Sequence, residues 1–137
     1  MSSRLNPYLN FTGDAKSAME FYRSVFGGEL TVNTFGEFGD PNAANADQVM
    51  HATLVTDNGF TLMASDTPPG MSHEQGNAIT VSVSGDDNAA LHGYWDKLAD
   101  GATVNVALEK QMWGDEFGQL VDRYGVPWMV DIGSPQG

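Results

Sequence analysis

Apolar residues recur along this chain with two different periods. Ala18, Phe21, Tyr22, Val25 and Phe26 fall at i, i+3, i+4, i+7 and i+8, one face of a helix. Gly13 and Asp14 stand before that run and Gly27 and Gly28 after it, so an amphipathic helix with start and stop residues is predicted between them. Leu91, Tyr94, Trp95 and Leu98 repeat the first four positions at a spacing of 73 residues, after Gly85, Asp86 and Asp87 and before Gly101. Elsewhere the period is two. LNPYLNFT and NAITVSVS read as strands ahead of the two helices. Strands are also predicted near Leu30 to Phe35, Val49 to Val55 and Phe60 to Ser65, then near Val104 to Lys110, Phe117 to Val121 and Pro127 to Ile132. The plan is strand, helix, strand, strand, strand, twice over. Two connections are longer than usual, GEFGDPNAANADQ within the first half and DTPPGMSHEQGN, the natural joint between halves.

Alternation also sorts the strand residues into two faces. Leu9, Phe11, Met50, Ala52, Leu54, Leu62, Ala64, Ile79, Val81, Val83, Trp128 and Val130 form an apolar set, expected to face the helices. The opposite set mixes Asn6, Tyr8 and Asn10 with His51, Thr53, Thr61, Met63, Ser65, Ala78, Thr80, Ser82, Pro127, Met129 and Asp131. His51 joins it only if the hairpin at TDNG has an odd loop, such as three residues with Gly59 in the left-handed conformation; an even loop would break the match between the flanking strands. Trp128 belongs by parity to the core. Trp113 and Phe117, in QMWGDEFG, sit where an aromatic side chain can wall the mouth of a cavity, and the adjacent Asp115 and Glu116 read as a solvated turn.

Composition narrows the function classes. The 137 residues make one domain, 1-137, with modules at about 1-68 and 77-134. Eighteen acidic against six basic residues leave a net charge of −12 with no basic patch, so neither nucleic acid nor an anionic membrane is an expected partner. No cysteine is present, which removes disulfides, thiolate nucleophiles and cysteine zinc sites. No phosphate-cradling glycine motif is found, and no cofactor is predicted. The apolar runs are too short to span a bilayer and the first residues lack a signal pattern, so a cytoplasmic location is expected.

The duplicated unit resembles the vicinal oxygen chelate superfamily of glyoxalases, bleomycin resistance proteins and dioxygenases. PYLNFTGDAKSAMEFYRSVFGG, LMASD and QMWGDEFGQLVDRYGVPWM are similar to its PhnB-like branch, whose members often carry a demethylubiquinone methyltransferase name. The resemblance implies an α+β fold: two tandem βαβββ modules forming a curved, mostly antiparallel eight-stranded sheet that encloses a cavity, with two helices outside. It also implies a homodimer. Metal-dependent members of the superfamily take their ligands from four inward positions, which map here to Asn6 or Pro7, Met63, Ala78 and Met129. Those side chains make no donor set for a divalent ion, so no metal site is predicted.

His51 itself has three readings. It is a metal ligand in a rearranged set with Asp66, His73 or Glu74, a structural histidine hydrogen-bonded in the sheet, or a cavity residue that orients or deprotonates a ligand. Two functions follow. One is metal-free binding of a small apolar or aromatic molecule, in a cavity of Tyr8, Asn10, His51, Thr53, Met63, Trp113, Phe117 and Met129. The other is a metal-dependent glyoxalase or dioxygenase-type enzyme with rearranged ligands. A third, structural domain with a filled cavity, is the weaker alternative. The residues name neither a catalytic group nor a ligand.

Overall fold

The computed structural model describes Ser3, residues 5–67, His73, Gly76 and residues 78–133. Contacts divide the chain into two units, Met1–Glu74 and Gln75–Gly137. The first contains β1 (Tyr8–Phe11), α1 (Ala15–Phe26), β2 (Glu29–Thr34), α2 (Phe35–Phe38), β3 (Val49–Val55) and β4 (Thr61–Asp66). The second contains β5 (Val81–Gly85), α3 (Asn88–Leu98), β6 (Thr103–Lys110), β7 (Glu116–Val121) and β8 (Pro127–Ile132). The expected α+β plan is present twice. Its eight strands form two four-stranded sheets of identical order, β1-β4-β3-β2 and β5-β8-β7-β6. In each, the first strand pairs parallel with the last and the other neighbours are antiparallel.

Helix α1 buries Ala15, Ala18, Met19, Tyr22, Val25 and Phe26 against β2, β3 and β4. Ala52, Leu54, Leu62 and Ala64 meet it from the sheet, the set predicted to face the helix. Each large side chain removed from water in such a core contributes roughly 1.5–3 kcal/mol. Helix α3 buries only Leu91, Trp95 and Leu98, mainly over β5 and β8, where Val83, Trp128 and Val130 complete a second core. Trp95 reaches across to β7 at Gly118, where a Cβ would stand 2.7 Å from its ring. Among the described residues no helix is long and apolar enough to cross a membrane.

Three hairpins share one construction. In TDNGF the Gly59 amide donates to the Thr56 carbonyl and the Thr56 amide to the Phe60 carbonyl, at 3.0 and 2.9 Å. QMWGD and DRYGV repeat both bonds, with Gly114 and Gly125 in Gly59's place. All three glycines have φ near +90°, at 89°, 105° and 87°, a backbone that a Cβ would strain. The first loop is therefore odd, as the parity of His51 required.

Two features depart from the pattern read off the chain. The long loop of the first half contains the short helix α2, where the Thr34 hydroxyl accepts from the Glu37 amide at 3.3 Å. Ile79, expected in the apolar set, is 79% exposed, because pairing with β8 begins only at Val81, opposite Trp128. The joint DTPPGMSHEQGN lies largely outside the described residues, Glu74 among them.

Buried carboxylates tie these elements together. Asp66 accepts from the amides of Gly13 at 2.7 Å, Ala15 at 3.0 Å and Val49 at 2.8 Å. The α1 N-terminus is thus capped from β4, while the side chain of its own N-cap residue, Asp14, makes no cap bond. In the second unit Asp122 accepts from the amides of Tyr124 and Val126 and, through Oδ2, from the Trp128 indole at 2.8 Å. Removing a buried acceptor strands its donors, at roughly 1–3 kcal/mol each. Asp66→Ala is accordingly expected to lower the unfolding free energy in a urea titration by about 3 kcal/mol or more. A loss under about 1 kcal/mol would show that these bonds are replaced by water.

Candidate functional site

Residues directly opposite one another in a ladder project to the same side of the sheet, so register decides which candidates meet. Met63 is opposite both Tyr8 and Thr53, Asn10 is opposite Ser65, and His51 is opposite Asn33. Tyr8, Asn10, His51, Thr53 and Met63 therefore share the mixed face of the first sheet. The rings of Tyr8 and His51 stand 5.9 Å apart at a 44° tilt, reaching across β4 between their strands. The Ser65 hydroxyl reaches the Asn10 carboxamide oxygen at 3.4 Å. His51 is half-buried, and among the described residues its ring contact is with Tyr8.

The second sheet carries its own set. Met129 is opposite Ser82 and Gln119, and Asp131 is opposite Ser84 and Phe117. Phe117 and Met129 thus lie on one face with Asp131. Trp113, at the tip of the β6–β7 hairpin, is 59% exposed and meets Phe117 edge-on at 6.1 Å between ring centroids. Trp128 is fully buried against α3, the core position its parity predicted.

The reading of Asp115 and Glu116 as a solvated turn needs correction, since both have partners that only the pairing of β7 brings to them. The Glu116 carboxylate receives the His92 ring at 3.2 Å and the Asn88 side-chain Nδ2 at 3.2 Å, joining β7 to α3. Asp115 lies beside Asp131. Burial, then a hydrogen bond that the protonated Asp131 donates to Asp115, then the like charge of Asp115 push the Asp131 carboxyl above the ordinary carboxylate range. The signal available in the chain was weak: Asp131 shares Met129's parity, and Gly114 marks the hairpin that turns Asp115 back onto the sheet.

The residues present do not fit the metal of the superfamily. Met63 and Met129 occupy equivalent places, each on the last strand of its sheet beside the parallel first strand, and present thioethers. Among the described residues no three histidine, aspartate or glutamate side chains gather closely enough to hold an ion. A rearranged set through Asp66 fails too, because both of its oxygens are engaged by backbone amides.

Residues 3–131 match the protein family described as 3-demethylubiquinone-9 3-methyltransferase. The structure is similar to that of protein PA1353 from Pseudomonas aeruginosa, at 34% identity and a TM-score of 0.86 over 98% of this chain and 100% of that one. It is also similar to a PhnB protein from Bacillus cereus, at 25% identity and a TM-score of 0.74 over 96% and 100% of the two chains. A glyoxylase/bleomycin resistance protein/dioxygenase domain from Frankia shares the fold at 14% identity, with a TM-score of 0.67 over 97% and 98%. The methyl donor that the family description implies finds no cradle in the turn after β1. The amides of Gly13 and Ala15, where such a cradle would form, already bind Asp66.

The raised carboxyl of Asp131 has a direct consequence for stability. The folded chain holds a proton that the unfolded chain releases near the ordinary aspartate value, about 3.9. This group's contribution is therefore full below that value and is lost as pH rises through the raised folded one. Asp131→Asn is expected to raise the thermal midpoint at pH 7 relative to the parent, the difference shrinking below pH about 4, where both states are protonated. An equal or lower midpoint at pH 7 would count against the Asp115–Asp131 contact.

Proposed function

The chain belongs to the PhnB-like family of the glyoxalase/bleomycin resistance/dioxygenase superfamily, and we propose that it binds a small apolar or aromatic molecule without a metal. The observation that carries this reading is the mixed face of the first sheet. There the flexible Met63 thioether lies between Tyr8 and Thr53, and the His51 ring stands beside Tyr8 without a hydrogen-bond partner among the described residues. A polarizable, adaptable side chain flanked by an aromatic ring and a few polar groups suits an apolar ligand oriented by one or two hydrogen bonds. Trp113, Phe117 and Met129 offer similar chemistry on the second sheet. His51 and Asn10 supply the polar contacts. We place the protein in the cytoplasm as a homodimer that takes neither nucleic acid nor a membrane as partner, consistent with a charge of −12.

Two measurements test this. Protein purified without chelator is expected to contain no stoichiometric zinc, nickel, manganese or iron by elemental analysis. Metal near one equivalent per chain, lost in His51→Ala, would favour the enzyme reading. Nile red, a neutral aromatic dye, is expected to bind saturably, and His51→Ala to weaken that binding at least threefold. The same change should lower stability by only about 1 kcal/mol or less, since truncation on a half-polar face leaves little void. Unchanged dye affinity, or a stability loss of about 2 kcal/mol or more, would remove His51 from the ligand face.

A further inference from the structure

The three hairpins built alike differ in the residue that precedes the left-handed glycine. It is Trp113 before Gly114, Tyr124 before Gly125 and Asn58 before Gly59. Aromatic side chains serve that position twice, so the construction itself does not require an asparagine there. Of the chain's nine asparagines, Asn58 is the one followed by glycine. That dipeptide carries a chemistry of its own, because a glycine amide nitrogen, unhindered by a Cβ, can close on the side-chain carbonyl carbon of the asparagine before it.

The β3–β4 hairpin brings together the groups this needs. Asp57, Asn58 and Gly59 are exposed, and among the described residues nothing lies within 4 Å of where a Cβ on Gly59 would stand. The tip therefore opens without disturbing packing once the Gly59 amide leaves the Thr56 carbonyl, a bond of 3.0 Å. The Thr56 hydroxyl accepts from the Phe60 amide at 2.9 Å and donates to Asn58 Oδ1 at 2.8 Å. Oδ1 is the atom on which negative charge grows when the carbonyl carbon is attacked, and a donor already aimed at it lowers that barrier.

We propose that Asn58 is a site of self-modification that needs no enzyme and that strains the hairpin carrying it. Hydroxide takes the Gly59 amide proton, the bond from the Gly59 nitrogen to Asn58 Cγ forms, the Cγ–Nδ2 bond breaks, and Nδ2 takes up a proton from water and departs as ammonia. Water then opens the cyclic imide at either carbonyl to leave aspartate or isoaspartate, with no change of oxidation state. Isoaspartate routes the main chain through the former side chain and lengthens by a carbon atom the loop that holds Thr53 opposite Met63. Leu54 and Leu62, buried beneath α1, oppose a slip of register, so the added atom strains the loop instead. The Asp100–Gly101 dipeptide is the contrasting case, since Asp100 pairs with the Arg123 guanidinium at 2.9 Å and a carboxylate is a poor electrophile. The proposal is independent of what the mixed face binds.

Peptide mapping by mass spectrometry, on folded protein held for weeks at mildly alkaline pH, tests the site. The mass gain of amide-to-acid conversion is expected in the peptide carrying Asn58 before any other asparagine, with isoaspartate detected there by an isoaspartate-specific methyltransferase. Its rate is expected to lie within about tenfold of that in the guanidinium-unfolded chain, because the tip is unpacked. Asn58→Tyr, which copies the DRYGV hairpin, should fold normally and abolish the gain. Thr56→Ser should keep the parent rate and Thr56→Val slow it about threefold or more, with circular dichroism confirming that each is folded. Aged parent should melt about 2 °C or more below fresh protein, while Asn58→Tyr aged alike keeps its midpoint. An unmodified Asn58, a gain spread evenly over the asparagines, or a folded rate about a hundredfold or more below the unfolded one would overturn the site. An undiminished rate in Thr56→Val would overturn the part given to its hydroxyl, and an unshifted midpoint the strain.

Discussion

Asp66 holds three amides that come from three separate places: the turn after β1, the first turn of α1 and the first residue of β3. Its own strand, β4, is an inner strand of the first sheet, parallel with β1 and antiparallel with β3. One buried carboxylate therefore fixes where the helix starts, where the third strand begins and how the last strand returns beside the first. The arrangement is favourable because each bond is charge-assisted and because the negative group sits at the positive end of the α1 dipole. The mixed face depends on it, since Met63 meets Tyr8 only when β4 lies in this register.

The two units solve the same topological problem with different polar ties. In the first, the carboxylate at the end of β4 spans 53, 51 and 17 residues along the chain. In the second, Asp122 works locally, closing the β7–β8 hairpin and reaching the Trp128 indole six residues on. Helix α3 is capped by its own Asp87, which accepts from the Ala90 amide at 3.5 Å. Helix α3 buries three side chains where α1 buries six, and it lies mainly over β5 and β8.

The two candidate ligand faces carry a methionine at matching positions. Met63 and Met129 hold equivalent places in the two sheets and present thioethers. The surrounding fold needs no alteration for this, because a face directed away from the helix-side core bears little of the packing. Function on such a scaffold is set by side-chain chemistry at register positions that the ladders hold constant.

By itself the sequence determined the elements and their faces, through forces that act over short range. Period 3.6 with flanking glycines marks α1 and α3, period two marks the strands, and the left-handed glycines of the hairpins set the odd loops that place His51 with Met63. The four residues of α2 are too few to display a period. Ile79 looked like core because alternation cannot show where a partner strand ends. The tertiary structure alone decided the partners of Asp66, the meeting of Asp115 with Asp131, and the link of His92 to Glu116. Each depends on segments brought together by strand pairing and by the seating of a helix on its sheet, and no local pattern encodes which distant group will arrive beside a given side chain.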